Sequence, residues 1–515
     1  MDMLLMFVLA LLPILWLVLA LCGMKMEAWK ASFGALIISA ALGIGVWKMT
    51  PINAATAALE GMAMAIWSIV IVIIAAVFTY NLTVHTGAME TIKGMLTSVS
   101  SDKRVLVLLI GWCFGGFLEG MAGFGTAVAI PASMLMALGF NPITAILACL
   151  VANGVPTMFG SIGIPTTTLA SITGLDPTQL ALTQALQVAP FVIATPFLMV
   201  MIVGGGPKAL KGVLPITLIT GLAMALPEIA AAAFIGADLP MVVAAVVTLI
   251  VTFVVALKMK GEVPAEYALE TPKSDEKLTA KKALTAWAPF ILIFVILVLT
   301  SKLVPFINGP LSSIKTSVNI YQGDPDAKLT FTWINTPGVL ILVCGLVGGL
   351  IQGCSFGEMM KVLGATCKQM SKTILTMLAV LGCAKIMGYS GMIASIAAFF
   401  VGTLGNFYPL VAPILGALGT FVTGSGTSSE VLFGSVQQQA AQAIGANEYW
   451  LCAANSLGIS AGKMLSPQSI AIGTAACGLV GKDGEVLGKV AVYAFAFVII
   501  MAIGIQAGVM MGISF

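Results

Sequence analysis

The chain has 515 residues, 59% of them hydrophobic and 9% charged, with a net charge of +3. Soluble domains carry about 25% charged residues, so a mean hydropathy of +1.07 over 53.1 kDa excludes a water-soluble core. The charges are scattered through short loops and Arg104 is the only arginine, which argues against nucleic acid as a partner and against a bidentate arginine site for phosphate.

Apolar runs long enough to cross a bilayer, ~20 residues in a helix, follow one another along the chain. The first, 3–22, has no positive leading stretch and is too long for a signal-sequence core, so it is read as a retained helix. Further single crossings are expected at 31–47, 60–82, 183–203, 213–233, 240–257, 286–304, 334–353, 373–388 and 490–512. Two more, 143–173 and 450–476, are interrupted by glycine and proline. The total is about twelve. Two other regions, 105–140 and 408–445, each show two short apolar arms around a glycine-rich polar tip, FLEGMAGFGT at 117–126 and FVTGSGTSSE at 421–430. They are read as re-entrant helical hairpins, which need protein or a water-filled cavity around their irregular backbone. The fold class is thus an all-α polytopic membrane protein. It divides into an N-terminal half, 1–257, a cytoplasmic loop, 258–285, and a C-terminal half, 286–515.

Lysines orient the chain. They fall in loops 23–30 (Lys25, Lys30), 83–104 (Lys93, Lys103), 204–212 (Lys208, Lys211), 258–285 (Lys258, Lys260, Lys273, Lys277, Lys281, Lys282), 354–372 (Lys361, Lys368, Lys372) and 477–489 (Lys482, Lys489). Twelve crossings and two same-side hairpins put all six loops on one face, taken as cytoplasmic, and both termini outside. The chain also repeats itself. ANGVPTMFGSIGIPTTTLA at 152–170 and ANSLGISAGKMLSPQSIAI at 454–472 each follow a hairpin and share Asn–x6–Gly–x4–Pro. The lysine-based topology gives the two copies opposite orientations, the signature of inverted repeats around a midplane site.

The segments GGFLEGMAGFGTAVAIPASML, ANGVPTMFGSIGIPTTTLA and AANSLGISAGKMLSPQSIAI resemble the L-lactate permease family over nearly the whole chain. The resemblance implies proton-coupled uptake of lactate and related 2-hydroxy monocarboxylates such as glycolate across a bacterial plasma membrane. It implies a transporter and not an enzyme, working without cofactor or metal. Sodium coupling on the same architecture is the alternative, because hydroxyls and freed carbonyls also bind Na⁺.

Candidate residues follow from the cost of charge at membrane depth. Glu119, in the first tip, is a proton-coupling candidate or a cap on backbone N–H groups. Glu430, at the start of the other hairpin's second arm, is a second candidate, or a cap together with Ser428 and Ser429. Lys463 stands where the first copy has Ser161, and is read as the partner of the substrate carboxylate or of an internal carboxylate such as Glu119, or as a lysine reaching for an interface. Asn153, Thr157, Ser161, Thr166 and Thr167 in one half, and Ser425, Thr427, Ser428, Asn455, Ser456, Ser460, Gln468 and Ser469 in the other, offer hydroxyls and amides for a small hydroxy acid. Interhelical hydrogen bonding is the competing use of these groups. His85, the only histidine, is read as interfacial. The nine cysteines, without a CxxC pair, are read as packing residues.

Overall fold

The computed structural model describes residues 2–513 apart from 25, 124, 260–262, 270–278, 302 and 480–481. Lys25, Lys260, Lys273 and Lys277 of the orienting loops therefore lie outside the described residues. What is described is helical, except for one antiparallel ribbon, Lys315–Val318 with Leu329–Thr332. Helix starts follow sequence grammar: Thr50, Asn141 and Asp176 each precede a proline and accept hydrogen bonds from first-turn N–H groups. Proline at the first helical position gives up no hydrogen bond, and the capping side chain satisfies the orphan donors.

Among the described residues, twelve helices are long and apolar enough to cross a membrane. The count agrees with the sequence, but the membership differs. Helices Pro51–His85 and Phe356–Ser390 both run 35 residues, well beyond 60–82 and 373–388. The run 334–353 yields only the fifteen-residue helix Pro337–Ile351. Segment 392–410, unassigned in the sequence, is a candidate span. The first arm of 105–140 is not short: Lys103–Met121 is one buried 19-residue helix, ~28 Å long at 1.5 Å per residue. Of the tip read at 117–126, residues 117–121 are still helix. The glycines of this arm let other helices approach, since a Cβ on Gly111 would meet Met199 and one on Gly116 or Gly120 would meet Met241. The first arm ends at Met121, and the second arm is the shorter Thr126–Ala137.

Element order repeats. Met3–Leu21, Ala28–Gly45, Pro51–His85, Ala88–Thr97, a hairpin, a broken helix and Pro177–Gly204 recur as Ala280–Thr300, Pro337–Ile351, Phe356–Ser390, Met392–Leu404, a hairpin, a broken helix and Asp483–Met510. Leu214–Phe234 and Pro240–Lys258 have no counterpart. The two 35-residue helices pack antiparallel. Near one end Lys385 Nζ lies 2.7 Å from Glu60 Oε1, and Tyr389 donates to the same oxygen at 2.8 Å. Near the other, Asn81 donates to Thr366 and Gln369 at 3.0 and 2.9 Å. Tyr321, from the loop between the two ribbon strands, stacks on Tyr389 at 3.8 Å. The only arginine is also structural: Arg104 makes a bidentate pair with Asp102 and donates to the carbonyls of Ala209 and Lys211.

Breaking one member of a buried ion pair strands the other charge and costs about 3–5 kcal/mol. Lys385→Met should therefore lower the thermal unfolding midpoint in detergent more than the double variant Glu60→Gln/Lys385→Met. A single variant as stable as the double would show that the pair holds nothing.

Candidate functional site at the two hairpin turns

The hairpin turns lie beside the two broken helices, and the four together wall a cavity of 320 Å³. In Pro142–Thr173 the break starts with a 3-10 turn, Val155–Phe159, and continues through Ser161, Ile162 and Gly163, all left-handed at φ 47°, 58° and 69°. Such a conformation costs roughly 1–2 kcal/mol for each residue with a side chain, so its neighbours must hold it. Ser161 Oγ donates to the Ala122 carbonyl in the first turn at 3.1 Å, and Thr166 Oγ1 bridges the break to the Met158 carbonyl at 2.9 Å. Gly163 rests on the Ala237 carbonyl, where a Cβ would come within 2.0 Å. In the second copy the helix continues straight through Gly462 and Lys463 and breaks at Ser466, which caps Pro467–Ala476. The matched prolines thus play different parts: Pro467 starts a helix, whereas Pro165 follows a break already made.

Glu119 belongs to the last turn of Lys103–Met121 and not to the tip itself. It is 4% exposed, and Asn153 Nδ2 donates to its Oε2 at 2.7 Å. Its partner is therefore a side-chain amide, not the tip backbone. Oε1 faces Gly160, where a Cβ would sit 2.5 Å away, and the carboxyl lines the cavity. Across the cavity Lys463 is 8% exposed and donates to the Gly424 carbonyl in the second turn at 2.9 Å. It is buried, so it does not reach for an interface, and no carboxylate of the described residues lies within ion-pair distance.

Of the residues singled out in the sequence, Glu119, Thr157, Ser161, Ser425, Thr427, Ser428, Lys463, Gln468 and Ser469 line this one cavity, with Thr423 beside them. Ser425 caps Gly426–Ile444. Ser428 Oγ is buried without a hydrogen-bond partner. The helices Gly426–Ile444 and Pro467–Ala476 both begin at the cavity wall, where N–H groups and the positive dipole end favour an anion.

The other candidates point into protein. Asn455 and Ser456 donate to Glu430 at 2.8 and 2.5 Å, so Glu430 caps nothing and does not line the cavity. Ser456 in turn accepts from Gln184, which accepts from Thr166. Ser460 donates to the Val155 carbonyl, and Thr167 bonds to its own helix. The equivalent Asn153 and Asn455 thus each hold a hairpin glutamate, one open to the cavity and one sealed. Sequence reading passed over Gln184, Gln437 and Tyr408, which complete the sealed network. An amide inside an apolar helix was the available signal. It also passed over Glu228, buried in Leu214–Phe234 outside the cavity.

The cavity extends to a mouth formed by Glu27, Trp29, Lys372 and Thr376. Glu27 pairs with Lys372 and, at 3.0 Å, with Lys30. Hydrogen bonds from Lys372 and Lys30 hold its carboxyl down at about 2, so Glu27 stays ionised at neutral or mildly acidic pH. His85 is exposed at the end of its helix, away from the cavity.

Twelve candidate spanning helices among the described residues, together with a cavity lined by Glu119, Lys463 and hydroxyls between two broken helices, define a multi-pass membrane protein of the transporter class. The family model for L-lactate permease matches residues 6–512, and the chain belongs to that family, whose members are transporters and not enzymes. An L-lactate permease of Streptococcus iniae is 44% identical over 87% of this chain and 93% of its own length. The glycolate permease GlcA of Escherichia coli K12 is 34% identical over 92% and 90%. Among solved structures, Neisseria gonorrhoeae MtrF aligns over 93% of this chain and 94% of its own at 14% identity, with a TM-score of 0.49, too loose a likeness to bear on the fold.

The two break glycines should differ in tolerance. Gly163→Ala meets a backbone carbonyl and a positive φ, whereas Gly160→Ala meets only the movable end of Glu119. Gly163→Ala is expected to lower the thermal midpoint clearly more than Gly160→Ala in the same detergent. Equal midpoints would mean that the break relaxes freely.

Proposed function

We propose that this protein carries lactate and related small 2-hydroxy monocarboxylates, glycolate among them, in symport with a proton across the bacterial plasma membrane. The observation that carries the reading is a cavity with one buried ammonium, Lys463, and one buried carboxyl, Glu119, on its walls. With both ionised, the empty cavity is neutral. A monovalent anion entering it leaves one uncompensated negative charge at membrane depth, which is costly. A proton on Glu119 restores neutrality. Anion and proton binding therefore favour one another, and that mutual preference is the thermodynamic content of symport. Crossing as a neutral pair also avoids the ~2.3 kcal/mol per 100 mV that a negative-inside membrane sets against a lone anion.

Lys463, the unpartnered Ser428 hydroxyl and two helix N-termini suit the carboxylate. Thr157, Ser161, Thr427 and Gln468 offer partners for the 2-hydroxyl, and Ile164, Pro165 and Ile472 an apolar wall for a methyl group. The printed names of the relatives, lactate and glycolate permeases, agree with this substrate class. We take Glu430 as part of the sealed network that holds the second hairpin. We take the repeats as inverted, with re-entrant hairpins and both termini outside. The antiparallel packing of the two 35-residue helices supports this, as does a reciprocal contact: Gly160–Thr173 packs on Gly426–Ile444, and Pro467–Ala476 on Thr126–Ala137. The mouth at Glu27 and Lys372 then opens to the lysine-rich cytoplasmic face.

Two variants test the roles. Lys463→Ala removes a charge-assisted partner worth about 1.5–3 kcal/mol, so lactate affinity of the purified protein, measured by calorimetry, should fall about tenfold or more. Unchanged affinity would remove Lys463 from the site. Glu119→Gln fixes the neutral form. In sodium-free proteoliposomes it should lose lactate accumulation driven by a pH gradient yet retain exchange of labelled lactate between equal pools. Continued accumulation against the lactate gradient would place the proton elsewhere, with Glu430 the next residue to test.

A further inference from the structure

On the outer surface, away from the central cavity, Pro240–Lys258 and Ala280–Thr300 meet the first hairpin around a groove of 320 Å³, lined throughout by apolar side chains. Phe117 forms its floor and meets Trp287 and Phe290 edge-on, with ring centroids 5.2 and 5.1 Å apart. Ile250, Val254 and Ile291 on its rim are exposed by 57%, 41% and 42%, so the groove faces the hydrocarbon and not the protein interior.

Its end is charged. On Pro240–Lys258 the lining residues Val246, Ile250 and Val254 advance four at a time, and the next step is Lys258. On Ala280–Thr300 the lining residues Ile291 and Trp287 step back through exposed Leu284 to Lys281. Residues three and four apart share a helix face, so both lysines, each exposed, stand over the same stripe as the groove. The two helices run in opposite directions, and these lysines close the same end of it. An apolar furrow ending in two cations at helix ends matches one ligand chemistry: a hydrocarbon tail joined to an anionic headgroup. A neutral headgroup would leave both ammonium groups without a counter-charge.

We infer that this groove is a binding site for an anionic phospholipid, its acyl chain against Phe117 and Trp287 and its phosphate between Lys258 and Lys281. Phe117 is two residues from Glu119 on the same helix, so the bound chain buttresses the arm that carries the cavity carboxyl.

Trp287 supplies the readout. Purified full-length protein in phosphatidylcholine vesicles is titrated with phosphatidylglycerol or with phosphatidylcholine, each brominated on its acyl chains. The Trp287 signal is the difference between the unaltered chain and Trp287→Phe. Brominated phosphatidylglycerol should quench Trp287 at a mole fraction on the order of tenfold lower than brominated phosphatidylcholine. The variant Lys258→Gln/Lys281→Gln should lose that preference, each lysine near a membrane surface contributing about fivefold. Equal quenching by the two lipids would mean ordinary boundary lipid only and overturn the site. A preference that survives in the double variant would place the headgroup elsewhere and overturn it too, as would a Trp287 that neither lipid quenches.

Discussion

Glu119 and Lys463 are buried ionisable groups on the wall of one cavity, and much of the surrounding structure answers the cost of keeping them there. An isolated charge in a low-dielectric interior is penalised by many kcal/mol unless hydrogen bonds or an opposite charge compensate it. Asn153 donates to one oxygen of Glu119, and the helix break beside it leaves Gly160 at the other. Lys463 is met by the Gly424 carbonyl, which is free to accept because the chain turns there at φ 72° instead of continuing as helix. Broken helices, glycine turns and the amide pairs thus serve one requirement, which is polar groups at depth without stranded charge.

The halves answer that requirement differently. Each presents an asparagine to a hairpin glutamate, from equivalent positions 302 residues apart. In the second half, Ser456, Gln184 and Gln437 close the ring around Glu430 and Asn455, and the hydroxyl of Tyr408 binds Gln437. A carboxyl so enclosed fixes geometry. In the first half the ring is open: Asn153 Oδ1 has no partner and Glu119 faces the cavity. The same asymmetry appears in the backbone. The first copy stores strain in two left-handed residues with side chains, Ser161 and Ile162, whereas the second breaks cleanly at a capped proline. Strain in a binding wall persists only where neighbours over-determine it, and Ser161, Thr166 and Gly163 each have such a neighbour.

The periphery is held by other means. The two 35-residue helices are tied near both ends by polar pairs, and glycines let backbones approach where apolar attraction inside a membrane is weak. Gly61 lies on the Leu381 carbonyl, while Gly416, Gly458 and Gly462 mesh Ala412–Thr423 with Glu448–Leu465. That last interface sets the second hairpin against the helix that bears Lys463.

Composition alone determined that this chain lives in a bilayer, because 9% charge cannot solvate 515 residues in water. The doubled Asn–x6–Gly–x4–Pro unit located the cavity walls, because backbone that leaves helical geometry at membrane depth must line something polar. Nine of the sixteen site candidates read from the sequence line that cavity, because hydroxyls and charges in apolar segments are few and each needs a reason. Which way each side chain points was not legible. Asn153 and Asn455 hold glutamates, Thr166 and Ser460 tie helices together, and Thr167 turns back to its own helix. Gly120, read as part of the first tip, is still helical and serves as a contact point against Met241, since a glycine's neighbours across a helix interface are set by packing and not by its own sequence. Glu119 and Glu430 look alike in one dimension. Only the tertiary structure seals one behind Ser456 and Gln184 and leaves the other on the cavity wall, because Gln184, which closes the ring on Ser456, lies 272 residues away in sequence and only packing brings it there.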